Sequence, residues 1–173
     1  MKRRIESTTS RTAEMTCLSR AISSLEASSY YKSDDHIAVL LLPNFFRLMI
    51  RIPLFRMLFS KKVAPKGMYE YVIARTKYID SVFKQALAER FGQVAIFGAG
   101  FDTRALRFQH AASNTRIFEL DVPATQNAKV GQYLKRGLDM PENLIFVPID
   151  FDKESLSAKL EEAGFDRHKR SLF

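Results

Sequence analysis

The feature that most constrains the fold is a short apolar run that ends at two glycines. Residues Val94-Ala95-Ile96-Phe97 are followed at once by Gly98-Ala99-Gly100. An apolar run of this length, bounded by glycine, is typical of a buried parallel strand that ends in a tight turn. Because glycine has no Cβ, the backbone N–H groups of such a turn can approach a ligand closely. After the first strand of a doubly wound sheet, this turn usually holds a nucleoside-bearing cofactor.

Strands and helices alternate from this turn onward. The sequence predicts three strands, at 94–98, 116–120 and 144–148, and three following helices, at 103–109, 123–135 and 153–163. Asp152 is the predicted N-cap of the last helix, and Gly137 and Gly164 follow the second and third helices. Alternating strands and helices predict an α/β fold with a parallel sheet and right-handed crossovers.

The N-terminal part of the chain differs from this pattern. Residues 1–66 contain no glycine and no convincing strand. We predict helices over 10–27, 35–42 and 44–60, the last broken near Pro53, and a long helix over 68–91 that Gly92 closes. The sequence therefore predicts two regions, a helical region at 1–66 and a sheet-bearing region at 67–173.

The chain stops at Ser171-Leu172-Phe173, at the beginning of a further apolar strand. Three complete strands are few for this architecture, and the fourth normally pairs beside the first. Without it, the first strand would present a bare edge. We therefore expect the sequence to be the N-terminal part of a longer protein or a truncated relative.

Composition excludes several classes of protein. A single cysteine, Cys17, can build neither a disulfide framework nor a cysteine metal site, so a reducing, cytoplasmic setting is expected. Three scattered histidines show no metal-ligand spacing, and no metal is expected. No apolar stretch follows the basic N-terminus, so a signal peptide is not expected. The most apolar window, 37–59, carries three arginines and two prolines, which argues against a membrane-spanning helix.

The net charge of +8 comes mainly from basic residues near 47–66 and 167–170. A positive field can favour anionic substrates, nucleic acid or anionic lipid. A solvated basic face is the simpler interpretation, and no nucleic-acid partner is expected.

Acidic residues end the second and third predicted strands. Glu119 lies 21 residues after Gly98, and Asp121 follows it. An acid at this place accepts hydrogen bonds from ribose hydroxyls. At the end of the third strand, Asp150 could accept from an adenine amino group and Phe151 could pack on the ring. The alternatives are an exposed strand-end acid and a helix cap.

Three further charged residues are candidates on weaker grounds. Arg75, on the long helix, carries a guanidinium that can bind a carboxylate by paired hydrogen bonds, although periodicity alone favours a solvated arginine. Asp102 and Arg104 follow the glycine turn, where they could bind a ligand or cap the short helix. Thr103 replaces the third glycine of the dinucleotide fingerprint, which disfavours NAD.

Together these segments resemble the leucine carboxyl methyltransferase family, and more closely its bacterial and archaeal branch of S-adenosylmethionine-dependent methyltransferases. The pair formed by Gly-Ala-Gly-Phe-Asp-Thr-Arg and Glu-x-Asp-x-Pro is the most specific part of the resemblance. The matching pieces run in the family's order from residue 10 to 151: Ser10-Arg11-Thr12-Ala13, Ser19-Arg20-Ala21, Asp34-Asp35-His36-Ile37-Ala38, Ala74-Arg75-Thr76 with Asp80, Phe97-Gly98-Ala99-Gly100-Phe101-Asp102-Thr103-Arg104, Glu119-Leu120-Asp121-Val122-Pro123, and Asp150-Phe151.

The resemblance implies a class I methyltransferase, Rossmann-like fold that binds S-adenosyl-L-methionine, with residues 1–66 as a lid over the substrate. It implies that Arg75 holds the cofactor carboxylate. The other implied cofactor-binding residues are Gly98 and Gly100 at the methionine part, Asp102 beside them, Glu119 and Asp121 at the ribose, and Asp150 and Phe151 at the adenine.

The implied reaction is O-methylation of a small-molecule or peptide acceptor that carries a carboxylate or hydroxyl group. No catalytic residue is identified. Two other functions remain open at this point. One is an NAD-type oxidoreductase, and the other is a truncated, non-enzymatic chain that binds a partner or an anionic membrane surface through residues 44–66.

Overall fold

A four-stranded parallel sheet forms the centre of the protein. The structure, a computed structural model, describes residues 8–173. Strands β1 (Gln93–Phe97), β2 (Arg116–Asp121), β3 (Leu144–Pro148) and β4 (Ser171–Leu172) are arranged in the order β3-β2-β1-β4. All neighbouring pairs are parallel, as the alternating pattern of strands and helices predicts. The predicted α/β, Rossmann-like sheet is confirmed.

The fourth strand pairs where the sequence predicts it. Gln93 lies opposite Ser171 and Val94 opposite Leu172, so β4 pairs with the first two residues of β1. Three strands of the sheet have five or six residues, and the fourth has two.

Eight α-helices surround this sheet in the described part of the chain, and a π-helical turn over Phe59–Val63 follows the fourth of them. None of the helices in residues 8–173 is long and apolar enough to cross a membrane. The helices are α1 (Arg11–Ser24), α2 (His36–Leu41), α3 (Asn44–Met49), α4 (Pro53–Leu58), α5 (Met68–Ala88), α6 (Arg104–Arg107), α7 (Pro123–Arg136) and α8 (Leu156–Glu162).

Two predicted helix ends are wrong. Helix α8 begins at Leu156 with Ser155 as its N-cap, because the amides of Lys153 and Glu154 donate to the Asp150 carbonyl and form a turn there. Asp152 is therefore not the cap. Helix α5 ends at Ala88, and Arg90 (φ +58°) rather than Gly92 takes the left-handed conformation after it.

Both faces of the sheet are buried, as a doubly wound fold requires. One apolar cluster contains buried side chains of α1, α2, α5 and α7 together with Val94 and Ile117 of the sheet. The other contains Ala95, Phe118 and Leu120 against α8. The N-terminal helices and the sheet thus share one core, and the division into two regions at Lys66-Gly67 stays a prediction. Residues 1–7 of the predicted lid lie outside the described residues.

A network of buried charges joins the N-terminal helices to the segment after the glycine turn. Asp35, with no exposed surface, accepts hydrogen bonds from the Ala38 amide (3.1 Å) and the Thr103 hydroxyl (2.7 Å). Its second oxygen lies 2.9 Å from Nε of Arg20. Each buried charge thus has an opposite charge or a donor beside it, which burial of an ionised group requires.

Asp80 of α5 forms the other half of this network. Its carboxylate lies 2.8 Å from Nε of Arg104 and accepts two hydrogen bonds, of 2.7 and 2.9 Å, from the Arg107 guanidinium. This paired geometry is the strong form of a carboxylate–arginine contact. It fixes α6, which has only four residues, against the long helix α5.

Replacing Asp80 by asparagine should destabilise the fold strongly. The change removes the charge of a carboxylate that two buried guanidinium groups share, and breaking a buried pair in this way costs about 3–5 kcal/mol. Denaturant unfolding followed by circular dichroism measures this loss. The exposed Asp139→Asn is the control and should change the free energy of unfolding by less than about 0.5 kcal/mol. Equal free energies of unfolding for the two variants would show that the ion pairs of Asp80 do not stabilise the fold.

Candidate cofactor-binding site

The glycine turn after β1 is held in a conformation that glycine favours. Gly98 (φ +61°) and Gly100 (φ +53°) both lie in the left-handed region. A Cβ on Gly100 would lie 3.1 Å from Cβ of Ala13, so this glycine lets α1 approach the turn. A Cβ on Gly98 would meet no atom within 4 Å. Gly98 therefore faces open space where a ligand could contact the backbone.

Asp121, the last residue of β2, fastens this turn. One carboxylate oxygen accepts a hydrogen bond from the Gly100 amide, and the other accepts from the Val122 amide (2.6 Å). The Ala99 amide donates to the Leu120 carbonyl (3.0 Å) and completes the attachment. A carboxylate has about four acceptor positions, so Asp121 can still accept from a ligand's hydroxyl groups.

A cleft of about 370 Å³ opens above the turn, within the size range of small-molecule sites. Five of the eight predicted site residues line it: Arg75, Gly98, Gly100, Asp102 and Asp121. The Arg75 side chain is exposed and has no ion pair or hydrogen bond within residues 8–173. Its guanidinium is thus free to bind an anionic group in the cleft.

Asp102 is buried beneath this cleft and is engaged locally. Its carboxylate pairs with the Arg104 guanidinium and accepts from the Arg104 amide (2.8 Å), as the capping alternative predicts. Burial acts to raise the pKa of the Asp102 carboxyl, but the charges of Arg104, Lys129 and Arg20 hold it well below its usual range. Asp102 is therefore ionised and contributes a fixed negative charge.

Glu119 does not line the cleft. It is buried on β2 and forms an ion pair with Lys129 of α7, while its second carboxylate oxygen has no partner among the described residues. Burial raises the pKa of the Glu119 carboxyl to about 7, against the opposing attraction of Lys129. The predicted ribose contact of Glu119 stays a prediction.

Asp150 and Phe151 follow β3 at the same edge of the sheet as the glycine turn. Phe97 lies opposite Leu120, and Asp121 opposite Pro148, so the carboxyl ends of the three strands are aligned. Asp150 lies 3.1 Å from the Lys153 ammonium, and Phe151 is exposed. Neither lines the cleft, and their predicted adenine contacts stay predictions.

Helix α1 forms one side of the cleft, although none of its residues was predicted to bind the cofactor. Thr12, Thr16 and Arg20 lie four residues apart and line the cleft as one helical face. Arg20 also donates to the carbonyl of Phe101 (2.6 Å), which ties α1 to the segment after the turn. The spacing of these polar residues was the signal in the sequence that could have revealed them.

The buried Glu119–Lys129 pair should make stability depend on pH. The folded-state pKa of Glu119 lies near 7, above its ordinary value of 4.5, so the unfolded chain releases this proton at lower pH. The contribution of Glu119 to the free energy of unfolding therefore falls by roughly 3 kcal/mol as the pH rises from 4.5 to about 7. The variant E119Q/K129M should lack this decline when free energies of unfolding are compared across pH. The exposed Glu142→Gln should retain it, and identical slopes for all three proteins would contradict the assignment.

The chain is similar in sequence to several known proteins. A protein of Mycolicibacterium paratuberculosis, named "Putative S-adenosyl-L-methionine-dependent methyltransferase", is 35% identical over 108 residues, which cover 62% of this chain and 33% of the relative. A Bacillus subtilis protein, named "Putative S-adenosyl-L-methionine-dependent methyltransferase YktD", is 35% identical over 97 residues, which cover 56% and 32%.

The chain spans about a third of the length of these curated relatives. A sequence model of the family described as "Leucine carboxyl methyltransferase" matches residues 13–173. This match includes every strand of the sheet and every predicted site residue. The chain belongs to the leucine carboxyl methyltransferase family.

Proposed function

We propose that the chain binds S-adenosyl-L-methionine in the cleft above the glycine turn and serves methyl transfer to an oxygen of the acceptor. The observation that carries this proposal is the set of groups that line one cleft. They are an unpaired guanidinium, a glycine turn open to ligand, and a strand-end carboxylate with acceptor positions left. The relatives' names and the family match support the same cofactor.

The cleft suits the chemistry of this cofactor at both of its polar ends. A free carboxylate needs a cation, and Arg75 supplies one that is not neutralised by another described residue. Ribose hydroxyls need an acceptor, and Asp121 is a buried carboxylate held in place by two backbone amides. Gly98 leaves room for the methionine part to lie against the backbone.

In this proposal each residue acts by position. Arg75 binds the cofactor carboxylate, Gly98 and Gly100 contact the methionine part, and Asp121 accepts from the ribose. Asp102, through its pair with Arg104, holds the segment after the turn beneath the cleft. Glu119, Asp150 and Phe151 keep their proposed places in the ribose and adenine region at the same sheet edge, where the ends of β2 and β3 are aligned.

Bound there, S-adenosyl-L-methionine supplies an electrophilic methyl group on a sulfonium. The protein's part is to align the acceptor oxygen with that group and to exclude water. Helix α1, which closes one side of the cleft with Thr12 and Thr16, serves this exclusion. A carboxylate acceptor is already a nucleophile and needs no base, whereas a hydroxyl acceptor does. We propose an oxygen acceptor of either kind and assign no catalytic base.

An oxidoreductase that binds NAD would share the glycine turn and the strand-end acid. The family match and the missing third glycine favour the methyltransferase interpretation. Titration calorimetry of the chain with S-adenosyl-L-methionine and with NAD separates the two functions. We expect heat of binding with S-adenosyl-L-methionine only; binding of NAD alone would overturn the proposal.

Replacing Arg75 by methionine should weaken S-adenosyl-L-methionine binding by about tenfold or more. A hydrogen bond to a charged group contributes about 1.5–3 kcal/mol, and the variant removes the cation that receives the carboxylate. Because the Arg75 side chain is exposed and forms no ion pair or hydrogen bond with another described residue, its loss should leave the fold unchanged. Lys135→Met on the exposed side of α7 is the control and should bind normally in calorimetry. Unchanged affinity of the Arg75 variant would remove this residue from the site.

Gly98 and Gly137 offer a matched test of the turn. Both have φ +61°, and a Cβ on either meets nothing within 4 Å, but Gly137 lies at the end of α7 and not on the cleft. Replacing either glycine by alanine should therefore lower the free energy of unfolding by about 1–2 kcal/mol. Only Gly98→Ala should also lose S-adenosyl-L-methionine affinity, by about tenfold, since its methyl group enters the cleft. Equal affinities of the two variants would place the ligand elsewhere.

A further inference from the structure

Helices α3 and α4 expose an unusual amount of apolar surface. Of the large apolar side chains that are exposed in the described structure, seven fall between residues 45 and 58. Phe45, Leu48 and Leu54 are each more than half exposed, at 66%, 64% and 58%. Apolar side chains clustered in this way mark a surface that contacts another molecule or a membrane.

The same segment is strongly basic. No acidic residue occurs between Asp35 and Glu70, whereas Arg47, Arg51, Arg56, Lys61, Lys62 and Lys66 all lie between them. Arg51, Lys62 and Lys66 are exposed, and no ion pair neutralises them in the part of the chain that the structure describes. The clustered cations therefore present a positive field to solvent.

The core holds these two helices in place without covering their outer side chains. Ile50 and Phe59, which follow α3 and α4, are buried in the main apolar cluster, with 0% and 2% exposure. Arg56 joins the two helices through its hydrogen bond to the Ile50 carbonyl (2.9 Å). The exposed leucines and phenylalanine thus belong to an anchored surface, which we call the basic apolar surface (residues 44–66).

We propose that the basic apolar surface binds a bilayer that contains anionic lipid. Leucine, isoleucine, methionine and phenylalanine side chains can enter the boundary between headgroups and acyl chains, while arginine and lysine contact the headgroup phosphates. The combination of apolar insertion and clustered cations supplies the two signals that stable attachment requires. A second copy of the chain fits poorly, because two such surfaces would bring like charges together without an acid between them.

Vesicle co-sedimentation tests this proposal with the 173-residue chain. Vesicles of phosphatidylcholine with phosphatidylglycerol should bind it, and vesicles of phosphatidylcholine alone should bind it weakly. Raising salt from about 0.1 M to about 1 M shortens the screening length from about 10 Å to about 3 Å and should release much of the protein. Failure of the folded chain to bind the anionic vesicles would overturn the proposal.

Two pairs of variants locate the binding. R51Q/K62Q should lower partitioning about tenfold or more, because each cation near an anionic surface contributes about a fivefold factor. L48S/L54S should lower it as well, since it removes apolar insertion. The matched controls are K32Q/K135Q and L134S/L156S, which change exposed residues of the same types elsewhere. Equal losses in the control pairs would contradict the assignment to this surface.

Two other ligands of the basic apolar surface, single-stranded RNA and a second copy of the chain, would give different results. If single-stranded RNA bound as tightly as the anionic vesicles and L48S/L54S bound it normally, the surface would recognise phosphate alone, which would overturn the bilayer proposal. If the chain self-associated in sedimentation velocity and L48S/L54S dissolved the assembly without any vesicle binding, a second copy would be the occupant. Circular dichroism of each variant confirms that a loss reflects the surface and not unfolding.

Discussion

The ion pairs around Asp35 and Asp80 connect the N-terminal helices and α5 to α6. Arg20, Arg104 and Arg107 reach these two carboxylates from α1 and α6, and Arg20 also binds the backbone of Phe101. Buried ion pairs of this kind contribute little net stability, but each fixes one arrangement of its neighbours. Here that arrangement places the N-terminal helices directly against the segment that follows the glycine turn.

The cleft follows from this placement. Because Gly100 has no side chain, Ala13 of α1 can approach the turn, and α1 thereby forms one side of the cleft. Asp121 holds the other side by accepting from the Gly100 amide. The glycine turn is thus fixed from two directions, by α1 and by the end of β2. A preorganised turn of this kind can bind a ligand without ordering itself first.

The sequence predicted the elements well and the contacts between distant residues poorly. The strands, the turn and the end of α7 at Gly137 follow from apolar runs and glycines, which act locally. The predicted N-cap of α8 was wrong because the expected first helical residues form a turn that begins at Asp150. The pair of Glu119 with Lys129 and the bond from Thr103 to Asp35 join residues on different elements, and no local pattern encodes them.

A crystal structure of the chain with S-adenosylhomocysteine would show directly where the ligand binds. We expect the ligand in the cleft above Gly98, with its carboxylate at Arg75 and its ribose hydroxyls at Asp121, while Asp35 and Asp80 keep their arginine partners. Ligand density at any other place, or a bound ligand that leaves both Arg75 and Asp121 without contact, would contradict this expectation.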